Sequence, residues 1–550
     1  MQNCLSLGSH PWMGCGLSGE NAGATRKSGF ALAHVVSARW GEKPRQHAVH
    51  SPVHRMWTEI GEKSVDEKRD TPQGGTPDLE ASLQGSAPSQ PGPTPHESHP
   101  HAPLASGGPV GAKQILSLAV PALGALVVEP LLLLIDSVMV GYLGTAQLAG
   151  LSLASTVLLT VVGLFVFLAY STTAITAKAL GAGKQKEGIE AGIQAIWLAL
   201  VLGVALAIGL SVGAPQIVQA LGADQQVAAE AALYLRGSAL GVAGMLVVLA
   251  ATGTLRGLLD MKTPLAVVSV GAVVNVALNF LLIFGLGLGI LGAGMALAIT
   301  QTGMAIALVA TILVKSRHLR VSWRPARSGL WEAFVAGSPL LVRTVSLRLA
   351  LLATVAVATS AGTVVLAAHQ VVNSVWTLGA FILDALAIAA QSLVGVSVGS
   401  KQTGALKALT RTLTLWGVGA AAMLGVIVVV GAPWIPLAFG TDAQMHEVAT
   451  AALRVAGTLM PIAGAVFILD GVLIGASEGK YLAYMGVVTL LGYLPALWFL
   501  HHKVVVAVAS GLPVASWALP WLWAAFAGWF MALRAATNSV RAFSPTLGAH

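Results

Sequence analysis

From Lys113 onward, stretches of about 20 apolar residues recur twelve times, and this constrains the chain more than any other feature. In helical form each stretch matches the ~30 Å hydrocarbon core of a bilayer. The stretches lie near 115–140, 148–176, 190–212, 233–256, 264–286, 291–314, 334–359, 365–398, 408–432, 449–476, 481–501 and 513–535. Charge is correspondingly scarce. Only 10% of the 550 residues are Asp, Glu, Lys or Arg, against about a quarter in soluble domains. Residues 1–112 hold 19 of the 54 charged residues, so the remainder could not form a water-soluble surface. The expectation is an all-α membrane protein with twelve transmembrane helices.

Residues 1–112 contain no apolar run long enough to span a bilayer and no secretory leader with a basic start and apolar core. Within them, 71–108 is rich in Pro, Gly, Ser and Thr, the composition of a disordered linker. The whole segment therefore reads as a poorly ordered cytoplasmic extension, with Met56 as one alternative start. His96, His99 and His101 in such a tract are more often solvated than metal-bound. Cys4 and Cys15 match no zinc or redox spacing. The segment carries 9 basic and 10 acidic residues, so the net charge of +8 belongs to the membrane part. There it marks topology, and no nucleic-acid surface is expected.

Loop charges orient the chain. The loops after even-numbered spans carry Lys178, Lys184 and Lys186; Arg256 and Lys262; Lys315, Arg317, Arg320, Arg324 and Arg327; Lys401, Lys407 and Arg411; and Lys480. With Lys113, Arg534 and Arg541, that side holds 17 of the 22 basic residues after position 112. The opposite side holds Arg236, Arg454 and Lys503. The positive-inside rule puts both termini in the cytoplasm. The resulting divisions are an extension over 1–112, a first lobe over 113–314, a cytoplasmic linker over 315–333, a second lobe over 334–535 and a tail over 536–550.

The two lobes are copies. A shift of 218 residues places Pro121 on Pro339, Gly213-Ala-Pro215 on Gly431-Ala-Pro433, Arg236 on Arg454, Gly257 on Gly475, Asp260 on Glu478 and Lys262 on Lys480. One offset that aligns rare charges and prolines is a repeat. Six spans per copy is an even number, so both copies point the same way. This parallel arrangement is used by alternating-access carriers, with a cavity between the halves.

Ionisable residues inside a membrane cost several kcal/mol and mark function by default. Asp136, on the first span, has Thr354 as its repeat mate; Glu129, two turns earlier on the same face, has Leu347. Pro121 and Pro130 free backbone carbonyls and let this helix bend. A carboxyl group removed from water holds its proton more firmly, so Asp136 is the candidate proton-exchanging group; a static structural acid is the competing reading. Asn275 and Asn279, one turn apart on the fifth span, are candidate partners or interhelical hydrogen-bonding groups. Gln301 on the sixth span is a further cavity candidate. The second half carries Arg343 and Arg348 on span seven, His369, Gln370 and Asp384 on span eight, and Asp470 on span ten. Arginine stays protonated, so an Arg343–Asp384 or Arg348–Asp470 pair is expected to be structural. His369, near the outer face, is expected to hydrogen-bond rather than hold a metal.

These residues carry a family resemblance. Residues 121–150, with Glu129-Pro130, Asp136-Ser-Val-Met-Val-Gly141 and Leu148-Ala-Gly150, resemble the first-helix signature of the multidrug and toxic compound extrusion (MATE) family. Ala177-Lys-Ala-Leu-Gly181-Ala-Gly183, Leu255-Arg-Gly-Leu-Leu-Asp260-Met-Lys-Thr-Pro264, Ala367-Ala-His-Gln370, Leu383-Asp-Ala-Leu-Ala-Ile-Ala-Ala-Gln391 and Leu469-Asp-Gly-Val-Leu-Ile-Gly475 are similar to its DinF-type branch. The resemblance covers about 113–535. It implies two six-helix lobes and efflux of organic, often cationic compounds against proton or sodium entry, and it maps the coupling acid onto Asp136. Many members carry a second acid on the fifth helix in an Asn-x-x-x-Asp pattern, where this chain has Asn275-Val-Ala-Leu-Asn279. That departure weakens a sodium site and favours protons. A monomer in a bacterial inner membrane, moving small organic compounds and holding no cofactor, is the corresponding expectation.

Other readings fit less well. A major-facilitator carrier places a Gly-x-x-x-Asp-Arg-x-Gly-Arg-Arg-like loop after its second helix, and Gly181-Ala-Gly-Lys-Gln-Lys-Glu187 lacks it. A lipid-linked saccharide flippase suits the arginines but not the span count or first-helix motif. A membrane-embedded enzyme needs a convergent catalytic set, and none is visible. No Walker sequence is present, so an ion gradient is the expected energy source.

Overall fold

A computed structural model describes residues 111–548, and among these every regular element is helical. Nearly all of the 1–112 extension, with its histidines and cysteines, lies outside the described residues, as do 549–550. The first half consists of α1 (Ala112–Gly141), α2 (Thr145–Leu164), α3 (Phe167–Gly181), α4 (Gln185–Ala220), α5 (Gln225–Ala239), α6 (Val242–Gly257), α7 (Lys262–Asn279) and α8 (Gly289–Ser316). The second consists of α9 (Arg327–Ser360), α10 (Thr363–Gly399), α11 (Thr403–Gly431), α12 (Ala443–Gly475), α13 (Gly479–Ala509), α14 (Ala515–Trp523) and α15 (Met531–Ala542).

Ten helical segments are long and apolar enough to cross a membrane, and α5 with α6 makes an eleventh across a 50° bend. The twelfth expected span is α14 joined to α15 through a π-helical turn at Ala524–Phe530. The structure adds three details to the expected divisions. The second span is broken at Phe165–Val166, between α2 and α3. The linker expected over 315–333 is mostly helix, with only a short irregular stretch before α9 begins at Arg327. The tail expected from 536 starts inside α15, and Ala542 and Leu547 pack into the core.

The 218-residue repeat is visible in the backbone. The α2–α3 segment (145–181) falls on α10 (363–399), and α5–α6 (225–257) on α12 (443–475). Positive φ recurs at Gly144 and Gly362, Gly183 and Lys401, and Leu259 and Ser477. Packing recurs too. Gly253 and Gly257 let α6 lie against the carbonyls of Ala169 and Thr173, at 2.5 and 2.8 Å from where a Cβ would stand. Their mates Gly471 and Gly475 bring α12 onto the carbonyls of Ala387 and Gln391 in the same way. In lipid, where no hydrophobic force holds helices together, such small-xxx-small contacts allow the close approach that does.

The lobes themselves meet through α3 and α10 at the end that carries the basic loops. Gly181 packs onto the Val396 carbonyl and Gly399 onto the Lys178 carbonyl. These two contacts exchange under the 218-residue shift, so they straddle the pseudo-twofold axis. The linker is strapped to α4: Glu190 accepts from the Ser322 amide (2.9 Å), Gln194 from the Ala326 amide (2.9 Å), and Trp197 donates to the Trp323 carbonyl (3.0 Å).

Candidate functional site

Within the first lobe, Asp136 on α1 is 3% exposed and accepts a 2.5 Å hydrogen bond from Asn279 Nδ2 at the end of α7. Asn279 Nδ2 also donates to Asn275 Oδ1 (3.1 Å), and Asn275 Nδ2 reaches Thr300 Oγ1 on α8 at 3.5 Å. The spacing of four residues stacks both amides on one face of α7. Straight after Asn279 the helix widens into a π-helical turn, Phe280–Gly285, a distortion common at functional sites. Buried Tyr234 on α5 lies within electrostatic reach of Asp136. No Lys, Arg or His forms an ion pair with Asp136 among the described residues, and Asn279 Oδ1 is buried without a partner.

The other first-lobe candidates stand apart. Glu129 is on an exposed face of α1 and makes no hydrogen bond among the described residues. Gln301 is half-buried on α8, and it is its neighbour Thr300 that joins the network. Pro121 and Pro130 both lie inside α1, which stays one continuous helix. Sequence reasoning missed Thr300 and Tyr234, because a lone hydroxyl in an apolar span carries no pattern.

At the equivalent place in the second lobe there is no acid. Thr354, the mate of Asp136, hydrogen-bonds Tyr493, the mate of Asn275, at 2.9 Å. Around them stand Phe526, Phe530, Trp376 and Trp523, with Tyr493 and Phe530 ring centres 4.9 Å apart. His369 belongs to this aromatic group. Its ring packs on Trp523 at 5.6 Å, and its Nδ1 is buried without a partner. The hydrogen-bonding role expected for His369 is therefore not what the structure shows. Its mate is Leu151, and the imidazole occupies an apolar position. Gln370 is exposed beside it.

The remaining charges converge on a cavity of about 310 Å³ between the lobes. From the first lobe come Gly163 and Val166 at the α2–α3 break and Tyr170 of α3; from the second come Arg343, Arg348, Asp384, Asp470 and Arg534. The pairing differs from both expected pairs. Asp470 Oδ2 receives the guanidinium groups of Arg343 and Arg534, and its Oδ1 receives Asn538 at 2.6 Å. Arg534 and Asn538 are one turn apart on α15, so one face of the last helix delivers both. Losing one partner of a buried ion cluster typically costs about 3–5 kcal/mol, since a charge is left unpaired. The cluster thus fixes α9, α12 and α15 to one another. Asp384 accepts from the Tyr170 hydroxyl at 3.5 Å, across the lobe boundary, and Arg256 lies within electrostatic reach. Arg348 is exposed to the cavity and makes no ion pair; its guanidinium rests 2.9 Å from where a Cβ on Gly163 would be.

Outside the spans, the repeat positions 260 and 478 each hold an acid paired with the end of the same half. Asp260 binds Lys315, and Glu478 accepts from Arg541 at 2.6 Å. Burial alone would raise the Asp260 carboxyl, but hydrogen bonds from Lys315 and Thr263 outweigh it and hold it below the ordinary aspartate range.

Two parallel six-helix lobes with a polar cavity between them and a lone acid inside one of them define a multi-pass membrane transporter. Known proteins agree. The MatE family model matches twice, over 121–281 and 339–498, and the two starts are 218 residues apart, the repeat offset itself. Protein DETOXIFICATION 44, chloroplastic, of Arabidopsis thaliana is 32% identical over 419 residues, covering 73% of this chain and 78% of that protein. DNA damage-inducible protein F of Escherichia coli (strain K12) is 24% identical over 425 residues, covering 75% and 92%. The crystal structure of the Vibrio cholerae MATE transporter VcmN in the bent form shares the fold, with a TM-score of 0.69 at 20% identity over 79% of this chain and 98% of that one. The chain belongs to the MatE family, the multidrug and toxic compound extrusion transporters, in its DinF-type branch, and it is not an enzyme.

Proposed function

We propose that the protein is a secondary active antiporter that exports amphipathic organic compounds in exchange for protons, as a monomer without a cofactor and with both termini cytoplasmic. The observation that carries this reading is the setting of Asp136: a buried carboxyl group with an amide partner and no countercharge. An unpaired carboxylate at that depth is costly. Taking a proton from the outer aqueous face and giving it up to the opposite face lets the carboxyl group pass through the occluded state uncharged, which removes that cost. The only acid of the set is Asp136, since position 279 is an amide, and one carboxyl group is enough for a proton. In proteoliposomes of the full chain, uptake of an exported dye is expected to follow an imposed pH gradient and to be indifferent to an imposed sodium gradient. Rates that track sodium alone would reverse the assignment.

The bacterial inner membrane was the placement expected above. A different membrane is favoured by two observations. Residues 1–58 contain six basic and two acidic residues, the acid-poor balance of an organelle transit peptide, and DETOXIFICATION 44 is described as chloroplastic. We therefore place the protein in a plastid membrane, where the stroma takes the place of the cytoplasm named above. Residues 1–58 fused to a fluorescent reporter in plant cells are expected to deliver it to chloroplasts; diffuse cytosolic fluorescence would overturn that placement.

A further inference from the structure

The inter-lobe cavity has a charge imbalance that export of cations does not explain. Asp470 is present as a carboxylate, because each of its partners, Arg343, Arg534 and Asn538, is a donor. One carboxylate serves two guanidinium groups, which leaves that cluster with an excess positive charge. Each arginine offers five N–H donors. Asp470 engages one Nη2 from each, so Arg343 and Arg534 keep donors in reserve beside the cavity.

Arg348 adds a second cation with no carboxylate partner among the described residues. It rests on Gly163, in the last turn of α2, an end of a helix that favours a cation. Asp384 is the single acid set against this excess, and Arg256 lies within its reach as well. The repeat mates of Arg343, Arg348, Asp384 and Asp470 are Ala125, Pro130, Val166 and Thr252. The first lobe builds the same scaffold without these charges. They belong to the second lobe alone and converge where the lobes meet.

We propose that this cavity binds the anionic group of the transported compound, a carboxylate or a phosphate, with Arg348 as a direct contact and the Arg343–Arg534 cluster supplying the field. Guanidinium groups recognise such oxyanions through paired N–H donors. About 310 Å³ is room for the head of a small organic acid. The cargo is then an organic anion, against the cationic class that the family resemblance implies. The inference rests on the export reading but is tested separately from it.

The test uses the full chain and three probes with one aromatic body: a carboxylate, its methyl ester and a quaternary ammonium analogue. Binding to purified protein in neutral detergent is measured first, without any gradient. The carboxylate is expected to bind at least about tenfold more tightly than the ester, and Arg348→Gln to lose about tenfold of that affinity while eluting as wild type does. Arg348→Lys should recover part of it, which a loss of packing alone would not allow. Preference for the quaternary ammonium probe, or carboxylate affinity unchanged in Arg348→Gln, overturns the proposal. Transport is then measured in phosphatidylcholine vesicles under a pH gradient. Carboxylate binding without pH-driven movement would sink the proton-coupled reading and leave the anion site standing. Displacement of the carboxylate by phosphatidylglycerol supports the site with a lipid headgroup as its occupant; no displacement supports it with a free organic acid.

Discussion

Asp136→Asn is expected to cut proton-driven accumulation of an exported compound, in reconstituted vesicles held at about 100 mV, from roughly 50-fold to none. The wild-type figure follows from energy. One charge crossing 100 mV supplies about 2.3 kcal/mol, and each 1.36 kcal/mol is tenfold in concentration. One proton per neutral molecule therefore sustains a gradient of roughly 50-fold per 100 mV. Asparagine has nearly the shape of aspartate and keeps the carbonyl oxygen that accepts from Asn279, so insertion and packing should survive. What it cannot do is carry a proton. The variant should bind substrate and equilibrate it, with proton movement no longer linked to transport. The second lobe offers no substitute, because Thr354 and Tyr493 fill the equivalent place with neutral groups. Undiminished proton-driven accumulation in Asp136→Asn would make this acid structural.

Much of the architecture was legible because the membrane makes its demands additive. Each span needs about 20 apolar residues, and each loop end needs its charge on the right side. Asp136 and the Asn275/Asn279 pair were legible for a related reason: polar groups this deep are rare and need each other. The broken helices were not legible. Neither Phe165–Val166 nor Leu240–Gly241 carries a charge or a proline that would mark a break. A signal does exist at the second break, because Gly241 packs onto Ala298 of α8, while its mate Leu459 sits inside unbroken α12. Side-chain volume, not polarity, distinguishes the two halves there.

The charge pairs show where one-dimensional reading stops. Arg343–Asp384 and Arg348–Asp470 were reasonable pairs from four residues already known to be intramembrane. The residue that decides the outcome is Arg534, which loop counting assigns to the cytoplasmic water. The last helix instead continues to Ala542 and turns Arg534 and Asn538 inward onto Asp470. Loop-charge statistics record only the side on which a cation lies. They cannot tell a solvated cation from one drawn inward by a buried carboxylate.

The second large effect is expected at the seam between the lobes. Gly399→Val should leave the carrier unable to close on the cytoplasmic side, with substrate transport lost and insertion unchanged. A Cβ at position 399 would overlap the Lys178 carbonyl oxygen, and both atoms belong to helix backbones. No rotamer change relieves such a clash, so α3 and α10 must part. Moving a two-state equilibrium from 1:99 to 99:1 takes about 5.5 kcal/mol, and a backbone collision in a seam where Ala177 and Gly395 are also in contact can supply it. The readout is Ala177→Cys, with Cys4 and Cys15 replaced. Ala177 is fully buried, so an impermeant maleimide added from the cytoplasmic side should label that cysteine slowly in the parent and rapidly once Gly399→Val is added. Gly181→Val should do the same, because the pseudo-twofold axis turns its contact with Val396 into that of Gly399 with Lys178. Combining the two should add little, since both act on one seam. Unchanged labelling and transport in either variant would show that the lobes close elsewhere.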